Sequence, residues 1–273
     1  LKIYNDLVKK YKIELNHFTA KNFLDRWYIA NVRKEIDFAF EQIKKIKNVK
    51  NKKALAVILS RTIRSCRATT HSDLATLKDP QVTTYYCWKH KKICKPLFSI
   101  KDWFDRYAID TISRLKYFSK LKTNTYFAVL PIDSRTVNIF AEVEKRNKKF
   151  SEILKKQKIK GIFTSPPYVG QIDYHEQHAY AYDLFGFKRQ DDKEIGPLYK
   201  GQGLEARNSY VAGIAYVLQN CRQYLANNFD VFLVANDKYN LYPVIADKVG
   251  MKIVNQFKRP VLNRTERDKS PYS

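Results

Sequence analysis

Gly161-Ile162-Phe163-Thr164-Ser165-Pro166-Pro167-Tyr168 is the stretch on which the reading of this chain turns. A short apolar run of strand type meets two consecutive prolines. Proline lacks the backbone N–H and pushes the residue before it into extended conformation, so the strand ends here with a fixed exit. Because the prolines cannot donate, nearby carbonyls are left to point into a cleft. Ser165 adds a hydroxyl and Tyr168 an aromatic face, a set suited to a planar ligand bearing an amine. Crevices at the carboxyl ends of strands are where open α/β sheets bind ligands. The plainer alternative is a strand-ending loop whose Ser and Tyr only cap and pack.

Working outward, Tyr126–Leu130, Gly161–Thr164, Val231–Ala235 and Met251–Phe257 are short apolar or alternating runs that predict strands. Helical patterns lie between them, the clearest placing Val211, Ile214, Leu218, Cys221 and Leu225 on one face. Strands alternating with helices predict a layered α/β sheet with buried parallel strands. Glu142–Lys160 is charge-dense and predicts a solvated helix or loop. The earlier part of the chain differs. Ile29, Val32, Ile36, Phe40 and Ile43 recur at helical spacing, as do Phe104, Tyr107, Thr111, Leu115 and Phe118, and a third helix is expected over Ala54–Ile63. Ser99 and Asp102 form a capping-box variant before the second run. The expected division is a helical basic region over 1–125 and an α/β region over 126–273.

Charge sharpens that division. The chain of 273 residues has a formal net charge of +24. Residues 1–150 carry 33 Lys and Arg against 14 Asp and Glu, whereas residues 151–273 carry 18 against 13. An excess gathered in one half points to a polyanion partner, because neutralised phosphates release counterions. No apolar run reaches membrane-spanning length, Leu1-Lys2-Ile3-Tyr4 does not open a secretory signal, and four cysteines make no disulfide scaffold. A soluble protein of a reducing cytoplasm is expected.

Ser165-Pro166-Pro167-Tyr168 after an apolar strand resembles the catalytic motif of the DNA amino-methyltransferases, which place Asp, Asn or Ser before Pro-Pro-Tyr or Pro-Pro-Phe. Val169–Tyr174 with Ala181–Gly186 looks like the helix after that motif, Val231–Asp237 like a later strand, and Asn255–Asn263 like part of the terminal hairpin. Leu130-Pro131-Ile132-Asp133-Ser134-Arg135 looks like the preceding strand, whose acidic end contacts the cofactor adenine in the family. The resemblance covers roughly residues 126–273. It implies a Rossmann-like methyltransferase core dependent on S-adenosylmethionine, DNA as partner and a flipped target base. Tyr168 would stack on that base, and Ser165 with the Pro166 carbonyl would accept from its exocyclic amine, Pro167 holding the turn. Asp133, Thr164 and Ser165 would face the cofactor. Ser at the first position leans toward cytosine over adenine. A restriction-modification setting and a cognate restriction endonuclease follow from the resemblance. An RNA or tRNA amino-methyltransferase, or a non-catalytic DNA-binding subunit, are the alternatives.

The chain departs from the family at one point. All eight glycines fall between Gly161 and Gly250, so the first 160 residues hold none. The family's Phe-x-Gly-x-Gly turn is therefore missing ahead of the motif. Gly201-Gln202-Gly203 sits in a polar loop with no strand before it and does not qualify. The acidic residue for the ribose is missing too. The core is expected to be incomplete on its N-terminal side, with a preceding segment or second subunit supplying the glycine motif.

Three further clusters have competing readings. Cys87-x-x-His90-x-x-x-Cys94 has ligand-like spacing, and His71 or Cys66 would be the fourth donor, but one cluster without a second pair does not establish zinc, and no metal is assigned. Lys89, Lys91, Lys92 and Lys95 in the same stretch suit phosphate contact. Arg61, Arg64 and Arg67 recur every third residue, as a phosphate-facing stripe or a solvated face. His175-Glu176-Gln177-His178 lacks metalloprotease spacing and is expected to line the base pocket or to pack a helix.

Overall fold

The computed structural model describes residues 22–71 and 79–258. They fall into two compact units: those within Leu1–Thr123 together with His175–Arg189, and those within Asn124–Tyr174 together with Gln190–Ser273.

In the first unit, α1 (Phe23–Trp27), α2 (Ala30–Lys44) and α3 (Val49–Ser65) precede a hairpin of β1 (Tyr85–Cys87) and β2 (Lys92–Cys94), and then α4 (Ile100–Leu121). The helical spacing read in the sequence becomes the buried face of α2, where Val32, Ile36 and Ile43 lie inside. Asn48 caps α3 and Ser99 caps α4, each side chain accepting from the N–H three residues on. Leu59 and Ile63 of α3 meet α2 in a core completed by Tyr180 and Leu184 of α8 (Ala179–Phe185). The α4 pattern is only partly used for packing: Ile100 is buried, while Ile109, Leu115 and Phe118 are more than half exposed.

In the second unit, α5 (Ile139–Arg146) and α6 (Lys148–Gln157) lead into β3 (Ile159–Thr164). The charge-dense stretch is thus two short helices, with Asn138 and Asn147 capping them through bonds to Ala141 N and Phe150 N. After the loop that carries Ser165–Tyr168 come the short α7 (Tyr174–Gln177) and α8, then α9 (Leu204–Arg222) crosses over to β4 (Leu225–Leu233), and α10 (Leu241–Lys248) follows. β3 and β4 pair in parallel, Phe163 opposite Phe232 and Thr164 opposite Leu233. The unit is a parallel strand–helix–strand arrangement, as the alternation in the sequence predicts, but among the described residues the strands are covered on one face only, with Phe163 and Phe232 exposed on the other rather than buried as expected. Val211, Ile214 and Leu218 of α9 pack with Ile245 and Val249, and Ile162 and Val231 lie against them.

Two expected strands are not formed. Residues 126–130 and 251–257 run without ladder partners among the described residues. Alternation alone does not make a strand; a neighbour must satisfy its N–H and C=O groups. Both runs leave large apolar side chains exposed, Phe127 at 79 % and Phe257 at 86 %, although Met251 packs against the core of the unit. The expected helix face ends early as well, since α9 stops at Arg222 and Leu225 opens β4. The first unit ends at Thr123 and takes in His175–Arg189 as well.

Candidate functional site

Ser165–Tyr168 leaves the carboxyl end of β3 just beyond its last ladder bond, in which Val234 N–H donates to the Thr164 carbonyl at 2.9 Å. Ser165 is exposed, and Pro166, Pro167 and Tyr168 are half-buried. Among the described residues no hydrogen bond engages the Ser165 hydroxyl or the Pro166 carbonyl. The Pro167 carbonyl, in contrast, is held: the Tyr210 hydroxyl donates to it at 2.8 Å and lies 2.8 Å from the Tyr242 hydroxyl. A phenol has one proton, so Tyr242 donates to Tyr210 and Tyr210 donates to Pro167. Burial raises the pKa of both tyrosines, which keeps them protonated as donors. Tyr242 is set in turn by Asp237, whose carboxylate accepts from Leu241 N at 2.7 Å and Tyr242 N at 3.0 Å at the start of α10.

The far side of the loop is tied down as firmly. Gly170 adopts a φ of +61°, and a Cβ there would lie 2.2 Å from the Gly201 carbonyl oxygen, so only glycine fits. Gly170 N–H donates to the Gly196 carbonyl, and Gln202 Nε2 donates to the Gly170 carbonyl at 3.1 Å. The Tyr239 hydroxyl bonds Gln202 Oε1, and the Arg207 guanidinium lies 4.1 Å from the Tyr239 ring centre. Gly201-Gln202-Gly203 therefore buttresses the proline loop.

Asp133 is already engaged. Its carboxylate accepts from Arg135 Nε at 2.9 Å, Arg135 Nη2 at 2.6 Å and the Arg135 backbone N–H at 3.0 Å, and the arginine bonds hold its pKa below the ordinary value. Thr164 commits its carbonyl to the ladder and keeps a half-buried side chain.

In the first unit the arginine stripe does not exist. A three-residue step falls about 60° short of a helical turn, which separates Arg61 from Arg64, and Arg67 lies past the last helical residue, Ser65. Arg61 pairs with Asp110 at 2.6 Å and Thr111 at 3.0 Å, Arg64 is exposed, and Arg67 is buried at 1 % exposure beyond the end of α3. Arg67 Nε donates to the Arg64 carbonyl, its guanidinium lies 5.5 Å from the Tyr180 ring centre, and burial lowers its pKa. Lys89, Lys91, Lys92 and Lys95 are all exposed on and beside the hairpin, with Trp88 and Tyr86 exposed among them. His175 and His178 pack within the first unit, against Tyr182 at 5.1 Å and Tyr180 at 6.1 Å, while Glu176 pairs with Arg189.

Cys87, His90 and Cys94 converge with His71, their ligand atoms lying within 4.8 Å of one another. Cys66 is not the fourth member: it is fully buried, its thiol points to the Ser99 carbonyl, and burial pushes its pKa up to about 12. The sequence reading also missed Tyr210, Tyr242 and Asp237. Tyr210 adjoins the apolar face of α9 and reads there as one more packing residue.

Comparison with known proteins bears on the site as assembled. The chain is 51 % identical over 255 residues, 93 % of its length, to the Type II methyltransferase M.MjaII of Methanocaldococcus jannaschii. It spans about half of that relative, 48 % of its length. No family profile matches the chain, and no solved structure matches it. No helix among the described residues is long and apolar enough to cross a membrane.

Proposed function

We propose that this chain carries the catalytic motif of a site-specific DNA methyltransferase that modifies the exocyclic amine of a flipped base, cytosine in preference to adenine. The observation that carries this reading is the state of Ser165-Pro166-Pro167-Tyr168. It stands at the carboxyl end of a parallel strand with two acceptors available and a carbonyl locked behind them. Similarity to a Type II methyltransferase over most of the chain supports it.

S-adenosylmethionine would supply an electrophilic methyl group on a sulfonium. Ser165 Oγ and the Pro166 carbonyl would accept the two N–H bonds of the target amine and draw the nitrogen lone pair out of ring conjugation. The half-buried Tyr168 ring would stack on the base. Positioning and electrostatics then lower the barrier without a covalent bond to the enzyme. The acceptor set fits the amine side of such a reaction. For the cofactor, the residues nearest in chemistry are Thr164, Ser165 and Asp133, the last only by sharing or releasing Arg135. Nothing here corresponds to a Phe-x-Gly-x-Gly turn, and the sheet face bearing Phe163 and Phe232 is uncovered, at 81 % and 60 % exposure. Both observations support a glycine-motif polypeptide that covers this face and completes the cofactor pocket. The exposed lysines of the hairpin would contact phosphates.

The test is methyl transfer by an active assembly on duplex DNA, single strands and tRNA. Ser165→Ala and Tyr168→Ala should each cut turnover on DNA by about a hundredfold or more while changing DNA affinity little. Near-normal turnover in both would remove this loop from the chemistry, and preference for tRNA would favour an RNA enzyme.

A further inference from the structure

We infer that His71, Cys87, His90 and Cys94 form a structural zinc site that holds the basic hairpin in place. The geometry is quantitative. Zinc bonds of about 2.3 Å to sulfur and 2.0–2.1 Å to nitrogen, at tetrahedral angles, place neighbouring sulfur and nitrogen ligands about 3.6 Å apart. Cys87 Sγ lies 3.6 Å from His71 Nδ1 and 3.6 Å from His90 Nδ1, and Cys94 Sγ lies 3.6 Å from His90 Nδ1. Three of the tetrahedron's four sulfur–nitrogen edges thus already have the required length. Two thiolates and two imidazoles are the donor set that tetrahedral zinc takes, and two thiolates balance its charge, so the site carries no net charge toward the buried Cys87.

The hairpin needs such a tie. Its strands are three residues each and, among the described residues, pair only with one another. A lone two-stranded hairpin is marginal in water without an apolar face to bury. Here the outward side chains Tyr86, Trp88 and Ile93 are 46 %, 62 % and 64 % exposed. The side chains gathered on the inner side are the ligands and Tyr85, whose hydroxyl lies 2.9 Å from His71 Nδ1 and would yield that nitrogen to the metal. Cys87 ends β1 and His90 lies in the turn after it, where His90 N–H donates to the Cys87 carbonyl, and Cys94 ends the returning strand. His71 comes from a separate segment, placed by its backbone N–H, which donates to the Tyr85 hydroxyl at 2.9 Å. Closing the set would tie that segment to the hairpin and fix the direction of Lys89, Lys91, Lys92 and Lys95. The inference does not depend on the methyltransferase reading.

The chain of 273 residues, purified without chelator, should contain about one zinc per molecule by elemental mass spectrometry. After zinc removal, cobalt(II) should restore the visible bands of tetrahedral cobalt and a thiolate charge-transfer band. Cys94→Ser and His71→Ala should lose stoichiometric metal, whereas Cys221→Ser, a cysteine of the second unit that is not among the four ligands, should retain it. His90→Cys offers three thiolates and should keep the metal with a charge-transfer band about half again as strong, which tests ligation even if the other variants fail to fold. The inference is overturned if the wild-type chain holds less than about a tenth of an equivalent and gives no tetrahedral cobalt spectrum. It is equally overturned if Cys94→Ser keeps a full equivalent, or if Cys87 and Cys94 are recovered as a disulfide.

Discussion

Tyr210→Phe removes one oxygen from the second unit and breaks a relay of two hydrogen bonds. The Pro167 carbonyl loses its donor at 2.8 Å, and the Tyr242 hydroxyl loses its acceptor at the same distance. A net hydrogen bond is worth about 1 kcal/mol, with more lost where a buried partner is left unsatisfied, so the expected destabilisation is about 2 kcal/mol. For a chain of this size that lowers the melting temperature by about 4–8 °C. If the same energy is lost from the geometry of the loop in the transition state, turnover falls about thirtyfold, since about 1.4 kcal/mol is a factor of ten. Single-turnover methyl transfer and DNA affinity should be measured on one preparation, with turnover falling and affinity holding. Tyr242→Phe leaves the Tyr210–Pro167 bond in place and should have the smaller effect on both stability and turnover. Turnover within twofold of wild type in Tyr210→Phe, or a larger effect from Tyr242→Phe, would refute the relay.

Three further outcomes are expected. Charge reversal at Lys89, Lys91, Lys92 and Lys95 should flatten the dependence of DNA affinity on log salt by up to about 0.9 for each phosphate contact removed; an unchanged slope places these lysines away from the backbone. Because Arg135 lowers the pKa of Asp133, the pair stabilises the fold fully above the ordinary aspartate value of about 4, and that contribution is lost as pH falls through the lowered value. Denaturant titrations of wild type and Asp133→Asn should therefore differ near neutral pH and converge in acid, and parallel curves at all pH would show that the pair contributes nothing. Phe163 and Phe232 leave about 280 Å² of residue surface uncovered, worth at most about 7 kcal/mol gross if a partner covers it. Phe163→Ser with Phe232→Ser should thus raise the solubility of the chain and abolish cofactor affinity restored by a Phe-x-Gly-x-Gly polypeptide; restoration by that polypeptide in the double variant would show that it docks elsewhere.

Local chemistry settled much of this protein before any packing was known. Two prolines end a strand wherever they fall, so the close of β3 at Thr164 was legible from Pro166 and Pro167 alone. Helical spacing from Val32 to Ile43 determined α2, and Ser99 marked the start of α4, because caps and periodic faces are properties of a few neighbouring residues. What the sequence could not decide was every feature that needs a partner distant along the chain. Residues 126–130 have strand composition and no ladder, since pairing is supplied by another segment. Arg67, one of three similar basic residues in the sequence, is buried because the chain turns inward after α3. His71 became the fourth member of the cysteine–histidine cluster by folding back over a gap of 16 residues to Cys87. Tyr210, 43 residues from Pro167, reached its carbonyl through the crossover that also set β3 beside β4. Side-chain type and short spacing are written in the sequence; which distant atoms meet is decided only when the elements pack.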